Sequence, residues 1–187
     1  MAVQVLRRRF TVKEYYRMVQ AGILKEDDRV ELIEGEIIEM APIGRRHATC
    51  IRRVILIFSE LVRGRAIVDV QNPIHLGEYS EPQPDVVLLR LRPDLYLAGH
   101  PQPEDILLLI EVADTSVNYD RSVKGPLYAE AGIPEYWIVN PEDETVTVLK
   151  LDGEKYVEHG VFRRGEAASS VLLKGFTVSV DAVFDAR

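Results

Sequence analysis

Residues 106–112 read Ile-Leu-Leu-Leu-Ile-Glu-Val, an apolar run whose one charged side chain is the carboxylate of Glu111. Such a run is typical of a strand that is buried on both faces of a sheet. Burying a carboxylate there costs free energy unless a cation or hydrogen-bond donors accompany it. Because ligand sites in open sheets lie at the carboxyl ends of strands, Glu111 is a candidate site residue. The alternative is that the strand emerges at Glu111 and the side chain faces water.

Asp85 is the second candidate, because it follows Pro84 and begins the short apolar strand predicted over 85–89. On its own, a Pro-Asp pair before a strand is typical of a turn. If the strands of Asp85 and Glu111 are neighbours, however, the two carboxylates can converge on one Mg²⁺ or Mn²⁺. Magnesium takes hard oxygen ligands and keeps several waters, so two carboxylates suffice. The bound ion would activate a water and neutralise charge on a phosphate.

Asp120, Lys124 and Tyr128 recur at spacings of four, which places them on one face of a helix. The functional interpretation is that this face contributes to the site. The alternative is an exposed ion pair beside an amphipathic tyrosine. Gly125-Pro126 is expected to disturb a helix that runs through Lys124.

The remaining patterns predict one α/β domain over 1–187, with a core at about 46–141, built as a mixed sheet flanked by helices. An amino-terminal helix and hairpin precede the core, and an antiparallel extension follows it. In chain order we predict a helix over 11–22, a hairpin over 30–40 around Glu34-Gly35, a helix over 47–62, strands over 66–76, 85–89 and 106–112, a helix over 120–131, a strand over 136–139, a hairpin at Asp152-Gly153 and a strand over 171–180.

The net charge of −7 argues mildly against a nucleic-acid partner, since phosphate is bound by basic patches. Arginines are nevertheless concentrated in one part of the chain, and this run is either a solvated helix face or a phosphate-contacting face. They are Arg45, Arg46, Arg52, Arg53, Arg63 and Arg65.

No segment predicts a membrane anchor or an exported protein. The longest apolar run, 106–110, is too short to span a bilayer, and the amino-terminal arginines are not followed by an apolar segment of a signal peptide. Cys50 is the single cysteine, so no internal disulfide can form, and we expect it to be a small buried side chain. The expectation is a cytoplasmic protein without a membrane partner.

Taken together, these segments resemble the PD-(D/E)XK nuclease superfamily, and more closely the bacterial Uma-type restriction-endonuclease family. The resemblance covers the chain to about Pro141. The segments that carry it are ELIEGEI at 31–37, MAP at 40–42 with His47, PDV at 84–86, EVADTS at 111–116, and the stretch from Asp120 through Lys124 to YAEAGIPEYWIV at 128–139.

The resemblance implies a restriction-endonuclease-like core in which Asp85 and Glu111 are metal ligands. It also implies that the carbonyl of Val112 adds a third oxygen. The lysine that the superfamily places two residues after the glutamate is Ala113 in this chain. Lys124 is the candidate to replace it, with its ammonium stabilising transition-state charge or orienting the attacking water.

Glu31 and His47 match recurring positions of the same family. Glu31 would complete the acid cluster, and its alternative is a strand-surface carboxylate. His47 would act as a base or bind phosphate, and its alternative is a histidine that faces water at the start of a helix.

The sequence therefore predicts a Mg²⁺-dependent endodeoxyribonuclease that hydrolyses DNA phosphodiesters with a metal-activated water. A homodimer is expected, because cutting both strands is easiest with two sites. Two alternatives stay open. One is a catalytically inactive binding module on a nuclease fold, which the displaced lysine and the acidic composition favour. The other is a glycosidase that uses Asp85 and Glu111 as paired acids.

Overall fold

The computed structural model describes residues 7–25, 27–114 and 116–185, so Thr115 of the EVADTS segment lies outside the described residues. No helix in these ranges is both long enough and apolar enough to cross a bilayer. The helices are α1 (Val12–Gln20), α2 (Arg45–Leu61), α3 (Val117–Tyr119), α4 (Gly125–Glu130) and α5 (Val180–Phe184). The strands are β1 (Val30–Ile33), β2 (Glu36–Glu39), β3 (Ile67–Val70), β4 (Val86–Leu89), β5 (Ile106–Val112), β6 (Glu135–Asn140), β7 (Thr145–Asp152), β8 (Lys155–Phe162), β9 (Ala167–Ser169) and β10 (Thr177–Ser179).

A six-stranded sheet in the order β3-β4-β5-β6-β7-β8 forms the centre of the described structure. Its β5–β6 pair is parallel and its other pairs are antiparallel. This confirms the predicted mixed α/β sheet flanked by helices. The antiparallel extension begins within this sheet, as β7 and β8, and β1–β2 and β9–β10 form separate hairpins.

Strand β5 is buried on both faces, as its composition predicts. Leu108, Ile110 and Val112 pack into a core cluster that also contains the apolar faces of α2 and α5. Leu109 packs on the opposite face, in a second cluster that includes Tyr128 of α4. The sheet therefore has a helical layer on each side, and side chains alternate between the two layers along β5.

The amino-terminal helix and hairpin form as predicted. Thr11 and Glu14 make the reciprocal capping box of α1, with each side chain accepting a hydrogen bond from the other's backbone N–H. Gly35 turns the β1–β2 hairpin at φ +82°, where a Cβ would lie 2.6 Å from the Cβ of Arg9. Only glycine fits this position without moving the preceding segment.

Two predicted strands were wrong in extent. The strand predicted over 66–76 ends at Val70, because Gln71 adopts a left-handed conformation with φ +53°. Of the strand predicted over 171–180, only Thr177–Ser179 pairs, and Val180 begins α5. The start of that segment cannot join a ladder, because its backbone N–H groups are used elsewhere.

Those N–H groups donate hydrogen bonds to Glu135, whose wholly buried carboxylate lies at the start of β6. Glu135 accepts hydrogen bonds from the backbone N–H of Val171 at 3.2 Å and of Leu172 at 3.1 Å. It also accepts from the Ser170 hydroxyl at 2.8 Å and from the Trp137 indole at 2.7 Å. Four donors match the acceptor capacity of a carboxylate, so Glu135 ties the carboxy-terminal segment to the sheet.

Candidate functional site

Asp85 and Glu111 meet because their strands are neighbours. In the antiparallel β4–β5 pair, Val86 lies opposite Ile110. Asp85, just before β4, therefore lies opposite Glu111, near the end of β5. Each carboxylate accepts a backbone hydrogen bond from the other strand: Asp85 N–H donates to Glu111 Oε2 at 3.1 Å, and Val112 N–H donates to Asp85 Oδ2 at 2.9 Å. The two side chains therefore lie together on one face of the sheet.

Glu111 is only 3% exposed, so the interpretation that it faces water was wrong. Its Oε1 accepts hydrogen bonds from Lys124 Nζ at 3.1 Å and from the Tyr128 hydroxyl at 2.8 Å. Burial raises the pKa of Glu111 above its ordinary value. Lys124 opposes this rise in pKa and Asp85 adds to it. The cluster thus holds more negative charge than its lysine balances.

Lys124 bridges two acids that come from different elements. Its Nζ lies 3.1 Å from Glu111 Oε1 and 3.2 Å from Glu31 Oε2. Burial alone would lower the pKa of Lys124, but the charges of Glu111, Glu31 and Asp120 outweigh burial and raise its pKa. Asp120 instead accepts a hydrogen bond from the Ser116 hydroxyl. This helix face therefore does not form the exposed ion pair that was its alternative interpretation.

A wide helical turn positions Lys124. Residues 120–124 form one π-helical turn between α3 and α4, and Pro126 lies in the first turn of α4. The predicted disturbance at Gly125-Pro126 therefore appears as a wider turn, since proline is tolerated at the start of a helix. A Cβ on Gly125 would lie 3.2 Å from the carbonyl oxygen of Asp120, so the turn leaves little room for a larger residue there. Single π turns are frequent at functional sites.

His47 reaches the same acids from the first turns of α2. Its Nε2 is hydrogen-bonded to Asp85 Oδ1 at 3.0 Å, and its side chain is 19% exposed. Burial lowers the pKa of His47, but the hydrogen bond and charge of Asp85 and a backbone hydrogen bond with Val112 raise it, with a net increase. His47 therefore does not simply face water, and it is hydrogen-bonded to Asp85, one of the expected metal ligands.

Glu31 lies in β1 and is 3% exposed, so the alternative of a strand-surface carboxylate was wrong. Besides the ion pair with Lys124, its Oε2 accepts a hydrogen bond from the backbone N–H of Gln83 at 3.1 Å. The amino-terminal hairpin thereby contributes an acid to a site that is otherwise built from the central sheet and its helices.

These side chains line a cavity of about 360 Å³. Six carboxylates line it against two permanent cations, an excess that attracts a divalent ion and repels an unaccompanied anion. The carboxylates are Glu31, Glu39, Asp85, Glu111, Asp114 and Asp120, and the cations are Arg29 and Lys124.

The residues present fit a divalent cation held by two carboxylates. Within 7–25, 27–114 and 116–185, no group of three or more His, Cys, Asp and Glu side chains is arranged to hold a metal. Asp85 and Glu111 each accept three hydrogen bonds from the protein. A carboxylate offers about four acceptor positions, so each keeps one. Two carboxylates plus waters is an ordinary mode of Mg²⁺ binding.

Two residues of the site were not found from the sequence. The Gln71 amide donates to Asp85 Oδ1 at 3.3 Å, which its left-handed backbone allows. Tyr119 lines the cavity, and its buried hydroxyl has no hydrogen-bond partner among the described residues. Neither residue carries a pattern that would have indicated a site, although Tyr119 directly precedes Asp120.

Comparisons with known proteins agree with the resemblance. The chain matches the Uma2 family, described as "Putative restriction endonuclease", over residues 12–181. Its fold is similar to the crystal structure of "a putative nuclease belonging to DUF820" from Anabaena variabilis ATCC 29413, with a TM-score of 0.66 and 17% identity over 94% of this chain and 97% of that chain. A search of curated proteins finds no match. Because the family match spans most of its length, the chain belongs to the Uma2 family.

Proposed function

We propose that the chain is a metal-dependent endonuclease that hydrolyses phosphodiester bonds in DNA. The observation that carries the proposal is the pair of carboxylates just before β4 and near the end of β5, each accepting a backbone hydrogen bond from the other's segment within a cavity rich in acids. Membership of a restriction-endonuclease family supports the same class of reaction. The proposal includes a single domain over 1–187, a homodimer and a cytoplasmic location.

In this proposal Asp85 and Glu111 hold Mg²⁺ or Mn²⁺, with the carbonyl of Val112 as a further oxygen ligand. When bound, such an ion activates a water and neutralises charge that develops on the phosphate. The chain's own contribution is to fix the two carboxylates before substrate arrives. Their mutual backbone hydrogen bonds do so without relying on a flexible loop.

Lys124, Glu31 and His47 complete the proposed mechanism. Lys124 supplies a permanent positive charge beside Glu111, from the π turn rather than from the position of Ala113. Glu31 holds the lysine in place through the ion pair at 3.2 Å. His47, hydrogen-bonded to Asp85, can take a proton from water or donate one to a phosphate oxygen.

The test is cleavage of a mixed plasmid and oligonucleotide panel in Mg²⁺ and in Mn²⁺. Asp85→Asn and Glu111→Gln are each expected to lower the rate by about 100-fold or more while the circular dichroism spectrum is unchanged. Glu39→Gln is the matched control, because Glu39 is an exposed carboxylate that lines the same cavity. It is expected to cleave like the wild type.

Two outcomes would contradict the proposal. One is cleavage by Asp85→Asn and Glu111→Gln at the wild-type rate, and the other is wild-type cleavage that survives EDTA. An inactive binding module predicts no cleavage and no uptake of Mg²⁺ or Mn²⁺ in a calorimetric titration. A glycosidase predicts metal-independent hydrolysis of a sugar substrate. Sedimentation of the purified chain tests the homodimer.

A further inference from the structure

An arginine face runs along the exposed side of α2, starting beside the candidate site. Its members are exposed arginines that make no side-chain hydrogen bond or ion pair with the described residues, and we call Arg45, Arg46, Arg52 and Arg63 the α2 arginine face. Arg52 follows Arg45 after two helical turns, Arg46 lies about 100° around the helix from Arg45, and Arg63 comes just past the end of the helix. From first to last the face extends about 27 Å.

The α2 arginine face and the candidate site are contiguous. Gly44 and His47 line the site cavity, while Arg45 and Arg46 line an adjoining cavity of about 430 Å³. Glu142 and Glu144 also line this second cavity, so its arginines stand beside two acids. The other end of the face, at Arg63, lies far beyond the reach of any group in the site.

Helix stability does not account for these arginines. Arg45 and Arg46 occupy the first turn of α2, where positive charge opposes the helix dipole, and the Gly44 N-cap provides no side-chain hydrogen bond. By contrast, Arg53 has a structural role, because it donates to the backbone carbonyl of Val183 at 3.3 Å. Between residues 45 and 65 the one acidic side chain is Glu60. In a chain of net charge −7, such segregation leaves a local basic surface on an acidic body.

The chemistry of the face fits a polyanionic rod better than a lipid surface. Its one large exposed apolar side chain is Leu56, and the other exposed positions of α2 besides its arginines are Thr49, Ser59 and Glu60. An interfacial membrane helix instead presents a broad apolar side. Arginine binds phosphate through its planar guanidinium. A duplex backbone also presents phosphate charges at regular intervals, so phosphates can lie along the whole length of α2.

We propose that the α2 arginine face binds the sugar–phosphate backbone of duplex DNA on one side of the candidate site. This inference rests on the proposed nuclease function for its choice of partner. It assigns the contact to α2, which contributes positive charge that the acidic cavity lacks.

The experiment measures fluorescence anisotropy of a labelled duplex of about 30 base pairs across a salt series, with EDTA present so that no cleavage occurs. Arg52→Gln/Arg63→Gln is expected to weaken binding by about tenfold at moderate salt and to reduce the slope of log K against log salt by about two. Arg52→Lys/Arg63→Lys keeps the charge and should retain the slope. The matched control, Arg17→Gln/Arg163→Gln, removes two exposed arginines elsewhere and should bind like the wild type.

The outcomes separate this inference from the proposed function. A wild type that binds duplex through the face but never cleaves with Mg²⁺ or Mn²⁺ supports the inference and contradicts the proposed function. A wild type that cleaves while the α2 variant binds and cleaves equally well overturns the inference alone. Absence of duplex binding by the wild type also overturns it. So does binding to phosphatidylglycerol vesicles, but not to duplex, that depends on Arg52 and Arg63.

Discussion

Tyr128 and Tyr136 are both wholly buried, with ring centroids 5.4 Å apart, but their hydroxyls have different surroundings. The Tyr128 hydroxyl donates to Glu111 at 2.8 Å. The Tyr136 hydroxyl has no hydrogen-bond partner in the part of the chain that the structure describes. A buried polar group without a partner costs about 1–3 kcal/mol, whereas a hydrogen bond to a charged group stabilises by a similar amount.

We therefore expect opposite effects from the same substitution at the two tyrosines. Tyr128→Phe should lower the free energy of unfolding by about 1–2 kcal/mol, since Glu111 loses a donor. Tyr136→Phe should leave it unchanged or raise it by about 1 kcal/mol. Urea denaturation of both variants at neutral pH measures the difference. An equal loss of stability in the two variants would contradict the assignment of the two hydroxyls.

At the residue scale, the sequence predicted the acids better than their partners. Glu111 stands out because a carboxylate within a buried strand conflicts with its surroundings, and Asp85 gains its weight from pairing with Glu111. Gln71 could not be found in this way, because its contact depends on a left-handed backbone that no local pattern indicates. The two acids are found adjacent as expected, while their role as metal ligands stays a prediction.

At the element scale, the capping box makes the stability of α1 depend on pH. The hydrogen bond from the Thr11 backbone, helped by Arg8, lowers the pKa of Glu14 below its ordinary value of 4.5. A carboxylate whose folded-state pKa is lowered stabilises the fold above the unfolded-state value. This contribution is lost as pH falls through the folded-state value.

Glu14→Gln keeps the side-chain acceptor of the capping box but removes its charge, so it should lower the Tm by about a degree at neutral pH, and the difference from the wild type should narrow in strong acid. Thermal unfolding followed by circular dichroism between neutral and acidic pH measures both effects. Glu60→Gln is the control, because the Glu60 carboxylate makes no hydrogen bond with described residues, and it should unfold like the wild type at neutral pH. A Glu14→Gln offset that does not narrow in strong acid would show that the capping carboxylate is not the cause.

The elements themselves were predictable wherever a periodic pattern or a turn signal was local. The α1 cap, the hairpin at Gly35 and the strand 106–112 need only neighbouring residues. At Gly125-Pro126 the sequence predicted a disturbance of the helix but not its form, a π turn that places Lys124 between two acids. The carboxy-terminal strand was overestimated for a similar reason, since a distant carboxylate takes its backbone donors.

For the whole molecule, metal binding to the acidic cavity should appear as added stability. A ligand that binds only the folded state raises the free energy of unfolding by about 2.7 kcal/mol at 100 times its Kd. Addition of Mg²⁺ or Mn²⁺ should therefore raise the Tm of the wild type in a concentration-dependent way. Asp85→Asn should remove this response, and differential scanning fluorimetry measures it.

Glu39→Gln again serves as the control and should respond to metal like the wild type. Without metal, Asp85→Asn is expected to be at least as stable as the wild type, because it removes one of several like charges. The proposed ligands would be contradicted if neither metal raised the Tm of the wild type, or if the metals raised the Tm of Asp85→Asn as much as that of the wild type.

Net charge is a poor guide to what the whole molecule binds. The acidic total of −7 coexists with a cavity of six carboxylates and with the α2 arginine face. The sequence showed the run of arginines and several of the acids, but the adjacency of the two groups depends on α2 beginning beside the ends of β4 and β5. That adjacency is a property of the tertiary fold and is not visible in a composition.

The four-donor environment of Glu135 also limits how far this polypeptide can be shortened. The last strand of the central sheet ends at Phe162, so the strand order alone suggests that a polypeptide truncated after Phe162 would keep the whole sheet. Three of the four donors to Glu135 nevertheless come from residues 170–172. Without them the buried Glu135 carboxylate would keep only the Trp137 indole as a hydrogen-bond donor. Burial of a carboxylate without partners costs free energy. Any shortened fragment must therefore keep the last hairpin, or replace Glu135 with an apolar side chain.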